Sequence, residues 1–105
     1  MAVDVLGLMD GKKIIVTPGM IELGNEEYSA NMEFGRHIAS VCDEVILIGE
    51  HQTKPILDGL HKEKYSDKKI HILNDVKEAF PLMRKLSDGN TYVLLENDLP
   101  DIFNE

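Results

Sequence analysis

Four short aliphatic runs set the tightest limit on how this chain can fold: Lys12–Val16, Glu44–Ile48, Lys69–Leu73 and Thr91–Leu95. Ile, Val and Leu are nearly continuous over at least part of each. A strand of that kind hides both of its faces, and such strands belong in a parallel sheet covered by helices rather than in a half-wet antiparallel one.

The intervening segments carry the matching helical patterns. Asn25 is a suitable N-cap, followed by Glu26 and Glu27 where the positive end of the helix dipole favours acids. Phe34, Ile38, Val41 and Cys42 then share one helical stripe with Gly35, whose missing side chain allows close packing. Thr53 to Lys62 places Pro55 in a first turn and turns Ile56, Leu57 and Leu60 inward. Asp75 with Glu78 has capping-box spacing, and Val76, Ala79, Phe80, Met83 and Leu86 follow at helical intervals before Gly89. Pro81 inside that pattern removes a hydrogen bond, so a late helix start or a kink is expected there. Ala2, Val3, Val5, Leu6, Leu8 and Met9 form a further apolar helical face, ended by Asp10-Gly11. With so little polar cover, this opening helix reads as one cut from something larger.

Strands alternating with helices imply right-handed crossovers. The expected fold class is α/β: a three-layer, Rossmann-like sandwich with a mainly parallel four-stranded sheet, order 3-2-1-4, and helices on both faces. The 105 residues suffice for one domain with its own core, so residues 1–105 are read as a single domain. Hydrophobic residues make up 43%, too many for a disordered chain, yet no apolar run approaches the roughly 20 residues that span a bilayer. One cysteine, Cys42, permits no internal disulfide, and no secretory signal is visible, which together point to the cytoplasm. The net charge of −8 argues against nucleic acid and anionic membranes as partners, since both are held by clustered Lys and Arg.

In such folds ligands sit beyond the carboxyl ends of the strands, where the strand order reverses. Two loops there are unusual. Thr17-Pro18-Gly19-Met20-Ile21-Glu22-Leu23-Gly24 follows the first run, rich in Pro and Gly yet carrying apolar side chains. Glu96-Asn97-Asp98-Leu99-Pro100-Asp101 follows the last. In the order 3-2-1-4 these loops share one crevice, with Glu22, Glu96, Asp98 and Asp101 near a ligand. From residue types alone the favoured reading is the plainer one, that both are well-made turns with solvated acids, since acids at loop ends are common. Gly19 and Gly24 make neither a dinucleotide fingerprint nor a Walker A loop. His37, His51, His61 and His71 lack metal-ligand spacing, and Cys42 on an apolar stripe is core rather than nucleophile.

The run Val16-Thr17-Pro18-Gly19-Met20-Ile21-Glu22-Leu23-Gly24 resembles the C-terminal domain of the Mur ligases, above all the D-alanyl-D-alanine-adding type, whose strand and loop read much like V-x-G-D-M-x-E-L-G. The register continues: Gly35 matches a helix glycine, Val45-Ile46-Leu47-Ile48-Gly49 the next strand with its terminal glycine, Gln52 a polar position, and Thr91 to Leu95 the last strand. The sequence departs where Gly19 replaces an aspartate, Pro18 a glycine and Asn31 a histidine. Glu96-Asn97-Asp98-Leu99 stands for a basic Lys-Gly-Ser-Arg stretch.

The resemblance implies an ATP- and Mg-dependent amide ligase as the parent, one that joins an amino acid or dipeptide to a UDP-linked muramoyl peptide in peptidoglycan biosynthesis. Its N-terminal domain would hold the UDP end, its central domain the P-loop, and this domain the incoming amine and part of the ATP site. The chain would then be cut on its N-terminal side, bind no cofactor alone and be inactive alone. The implied substrate-binding set is Thr17, Gly19, Met20, Glu22, Leu23, Gly24, Asn31, Glu96, Asn97, Asp98 and Asp101, with no catalytic residue and no metal ligand. Competing readings are a stand-alone acidic binding or regulatory module and a dimerisation domain that self-associates through its uncovered apolar opening helix and an exposed sheet edge.

Overall fold

The structure is a computed structural model that describes residues 2–20 and 24–96. The aliphatic runs form β1 (Lys12–Thr17), β2 (Glu44–Ile48), β3 (Ile70–Leu73) and β4 (Thr91–Leu95). All pair in parallel, in the order β3-β2-β1-β4 that the loops suggested. Four α-helices lie among the described residues: α1 (Ala2–Gly7), α2 (Glu27–Val41), α3 (Lys54–Lys62) and α4 (Ala79–Leu86).

The period-2 alternation of the inner strands divides the core into two halves. Ile15, Val45 and Leu47 meet Val3 and Leu6 of α1, Phe34 and Ile38 of α2, and Ile56 and Leu60 of α3. Ile14, Val16, Ile46 and Ile48 meet Val76 and Ala79 on the opposite face, with Leu82, Met83 and Leu86 of α4 beside them. This is the three-layer α/β arrangement of a Rossmann-like fold. No described helix is long and apolar enough to cross a membrane.

Burial on both faces holds for β1 and β2 but not for the outer strands. No residue of β3 or β4 is fully buried, and Ile72, Tyr92, Val93 and Leu95 are exposed. The aliphatic content of a five-residue run is the same at the centre and the edge of a sheet, so composition alone could not separate them.

The helix starts also differ in detail. Asn25 does not cap α2: Gly24, at φ +61°, opens a 3₁₀ turn over Gly24–Glu26 that absorbs it, and Glu26 takes the cap position. Asp75 and Glu78 do form a capping box, Asp75 Oδ1 accepting from the Lys77 N–H at 2.9 Å and Glu78 Oε1 from the Asp75 N–H at 3.2 Å. It opens a 3₁₀ turn, Val76–Glu78, and α4 proper starts at Ala79. The late start puts Pro81 in the first turn, where its missing N–H has no helical partner to lose. Extended backbone at Ser87, not Gly89, ends α4.

Candidate functional site

The site lies at the carboxyl ends of β1 and β4, where the chain's order turns back on itself. The parallel register sets Val16 opposite Leu95, and the Glu96 N–H then donates to the Val16 carbonyl at 2.9 Å. Thr17 and Glu96 therefore stand side by side at the mouth, and the first loop adjoins the end of the last strand as the sequence suggested.

The loop leaving β1 is held from three directions. The Thr17 hydroxyl, fully buried, accepts from the Gly19 N–H at 2.9 Å. Asn31, on the first turns of α2 and also fully buried, grips Met20 by both backbone groups. Its Oδ1 accepts from the Met20 N–H at 2.8 Å, and its Nδ2 donates to the Met20 carbonyl at 2.8 Å and to that of Glu27 at 2.8 Å. Gln52, in the turn after β2, donates from Nε2 to the Pro18 carbonyl at 3.0 Å and to that of Ile48 at 3.2 Å.

Glycines make that geometry possible. Gly19 has φ +86°, and a Cβ there would stand 3.2 Å from Asn31 Oδ1 and 3.4 Å from Ile56 Cδ1. Gly49 has φ +91°, and its missing side chain leaves room for Gln52, whose Cγ and Cδ would lie 3.0 Å from a Cβ. Both sit in the left-handed region that L side chains rarely adopt. Aspartate, which the resembling family carries at the first position, would meet backbone strain here.

Of the residues singled out from sequence, the structure brings Thr17, Gly19, Met20, Asn31 and Glu96 to this end of the sheet, with Gly24 opening the turn into α2. Glu22, Leu23, Asn97, Asp98 and Asp101 lie outside the described residues. The polar atoms of Thr17 and Asn31 are spent on the loop itself, so they shape it. Met20 is half-buried against the α1–α2–α3 half of the core. Among the described residues Glu96 is an ionisable one beside the loop, held there by its backbone N–H on the Val16 carbonyl. Glu50, past β2, and Glu26 and Glu27, entering α2, make this end of the domain acidic. Its nearby cation, Lys54, is paired with Asp58 at 3.1 Å. Gln52 was not among the expected site residues; a Gly-x-x-Gln spacing directly after a strand is the one trace of its role in the sequence.

Elsewhere the titratable groups are dispersed. His37 pairs with Asp4, His61 with Asp67 and His71 with Glu44, and no group of three or more His, Cys, Asp or Glu is placed to hold a metal among the described residues. Cys42 is buried, and burial pushes its thiol up to about 12. That keeps it protonated and inert.

Fold and mouth together define a doubly wound α/β domain with a preformed, clamped loop at its switch point. No family model, curated protein or solved structure matches the chain.

Proposed function

We propose that this domain holds the amine substrate of an ATP-dependent amide ligase of the Mur type, an amino acid or dipeptide bound by the loop after β1 and the end of β4. The observation that carries the reading is the clamped loop. Two fully buried side chains, Thr17 and Asn31, and the exposed Gln52 spend their hydrogen bonds holding four residues in one conformation beside Glu96. A turn needs no such support to reverse the chain, whereas a binding surface needs it to be preorganised. The resemblance of Val16 to Gly24 to the Mur ligases supplies the class of ligand.

The chemistry of the mouth suits a cation. Glu96 attracts an ammonium group, and half-buried Met20 offers apolar surface to the ligand's side chain. ATP and Mg do not fit these residues. The N–H groups of Gly19 and Met20, which a phosphate would need, are already donated to Thr17 and Asn31. The flanking residues are acids, which oppose a polyphosphate. Under this reading nucleotide, metal and the UDP-linked muramoyl peptide are held by the parent's N-terminal and central domains.

An amide-resolved NMR titration tests this. D-alanyl-D-alanine, or a free amino acid, should move the signals of Gly19, Met20, Asn31 and Glu96 in the millimolar range, and ATP with magnesium should not. If no amine ligand perturbs those signals, the reading fails.

A further inference from the structure

We propose that Asp10-Gly11, in the bend between α1 and β1, is a site of spontaneous aspartate isomerisation, and that Asn90 promotes it. The chain carries three aspartates followed by glycine: Asp10-Gly11, Asp58-Gly59 and Asp88-Gly89. Such pairs are open to this chemistry because glycine has no side chain to shield its nitrogen from the preceding carboxyl group. The structure protects two of them and leaves the third exposed.

Asp58 lies inside α3, where the helix ladder takes up the Gly59 N–H, and its carboxylate accepts from the Tyr28 hydroxyl and from Lys54 Nζ at 3.1 Å. Asp88 turns Oδ1 onto the Asn90 N–H and the Thr91 hydroxyl, both at 2.8 Å. Those bonds, the Asn90 N–H foremost, hold its carboxyl below the ordinary value and so ionised, a poor target for an amide nitrogen.

Asp10 differs on each count. It is exposed, and neither its carboxyl group nor the Gly11 N–H makes a hydrogen bond or ion pair among the described residues. The peptide joining the two is instead polarised at its oxygen, where Asn90 Nδ2 donates to the Asp10 carbonyl at 2.6 Å. A donor there stabilises the negative charge that gathers on the oxygen when the adjoining N–H releases its proton, as an oxyanion-hole donor does. Alanine cannot simply replace Gly11 to block the reaction. A Cβ at Gly11 would lie 2.5 Å from the Asn90 carbonyl oxygen, which accepts from the Lys12 N–H at 2.9 Å where β4 begins beside β1.

The Gly11 nitrogen, its proton released, bonds to Asp10 Cγ while the Cγ–OH bond of the protonated carboxyl group breaks. Water leaves, and a succinimide ring remains. A second water then opens the ring. Attack at Cγ regenerates aspartate, whereas attack at the main-chain carbonyl breaks its bond to nitrogen and leaves Gly11 joined through the Asp10 side chain. The backbone between α1 and β1 is then longer by a methylene.

Ageing the whole chain in heavy-oxygen water at neutral pH, followed by peptide mapping in ordinary water, tests this. Label and isoaspartate should accumulate at Asp10 and not at Asp58 or Asp88. Asn90→Ala should slow the reaction about fivefold, the effect of one hydrogen bond. A purely structural role for Asn90 predicts the reverse, since freeing the bend would speed ring closure. No label at Asp10, or label at Asp88 as fast as at Asp10, overturns the proposal, whether or not the variant folds. So does an Asn90→Ala chain that keeps its fold and isomerises as fast as the wild type or faster.

Discussion

Gly35 of α2 and Gly59 of α3 fix the crossing of their helices reciprocally. A Cβ on Gly35 would lie 2.2 Å from the Ile56 carbonyl oxygen, and one on Gly59 would lie 2.1 Å from that of Met32. The obstruction in both cases is backbone, which no side-chain rotation relieves. Alanine at an ordinary helix position gains about 1 kcal/mol over glycine. Here it must push the helices apart, and both helices press on the same half of the core.

Gly35→Ala and Gly59→Ala should each therefore lower stability by about 2 kcal/mol net, the usual scale of overpacking. Gly89 is the control: it has open space around it and ordinary φ, so Gly89→Ala should be close to neutral. Urea unfolding of the three variants checks this. Equal stability for all three would mean that the crossing is looser than the geometry states.

Among the described residues Asn31 is the one fully buried amide beside the candidate site, with its three hydrogen bonds directed at backbone. Asn31→Ala would leave the Met20 N–H and carbonyl unpartnered at a half-buried position, at a cost of about 2–3 kcal/mol. Hydrogen exchange supplies the sharper measure. The Met20 amide should exchange much faster in the variant, while amides of β1 and β2 follow only the global loss. If Met20 exchanges no faster than the global loss requires, Asn31 does not hold the loop.

A pH dependence follows from the edge of the core around Cys42. Burial raises the Cys42 thiol from 9.0 to about 12, and burial also raises the Tyr65 phenol, whose hydroxyl donates to the Cys42 carbonyl at 2.7 Å. Both groups hold their protons more tightly folded than unfolded. Their contribution is thus complete below the unfolded values and lost as pH rises through the folded ones. Stability should be flat for these groups up to about pH 9 and fall from there toward about pH 12. Tyr65→Phe should lower neutral stability by about 1 kcal/mol, one hydrogen bond, and make the alkaline decline shallower. A decline of unchanged steepness in the variant would assign it to other groups.

The sheet was legible because continuous Ile, Val and Leu can be hidden in few ways. The order β3-β2-β1-β4 was legible because the two odd loops had to share an end. Two kinds of fact were not. The order made β4 an edge, but that its faces stay partly open depends on how far the helices cover it, and the five residues Thr91 to Leu95 carry no mark of that. The work done by Asn31 and Gln52 depends on which side chains reach the loop across the fold. Asn31 drew notice only through a resemblance, and Gln52 as a register position. Their actual partners, backbone groups of Met20 and Pro18, are set by the positive φ of Gly19, which a sequence gives only as a glycine among others.

The same hydrogen bonds that rigidify the loop restrict what it can bind. A phosphate cradle needs backbone N–H groups pointing at solvent. At Gly19 and Met20 those groups point inward, to Thr17 Oγ1 and Asn31 Oδ1. Opening them would break two buried or half-buried hydrogen bonds, about 1 kcal/mol or more each, before a phosphate was touched. The acids at this end and the net charge of −8 repel a nucleotide carrying several negative charges. The chain should therefore bind ATP with magnesium no more tightly than the millimolar range and should not hydrolyse it. Thr17→Val frees the Gly19 N–H without adding a charge, and should still leave ATP affinity unimproved, because Asn31 continues to hold Met20. Calorimetric titration of both proteins decides the matter. A dissociation constant near about 10 μM, some −7 kcal/mol, would require a nucleotide site that the clamped loop does not provide.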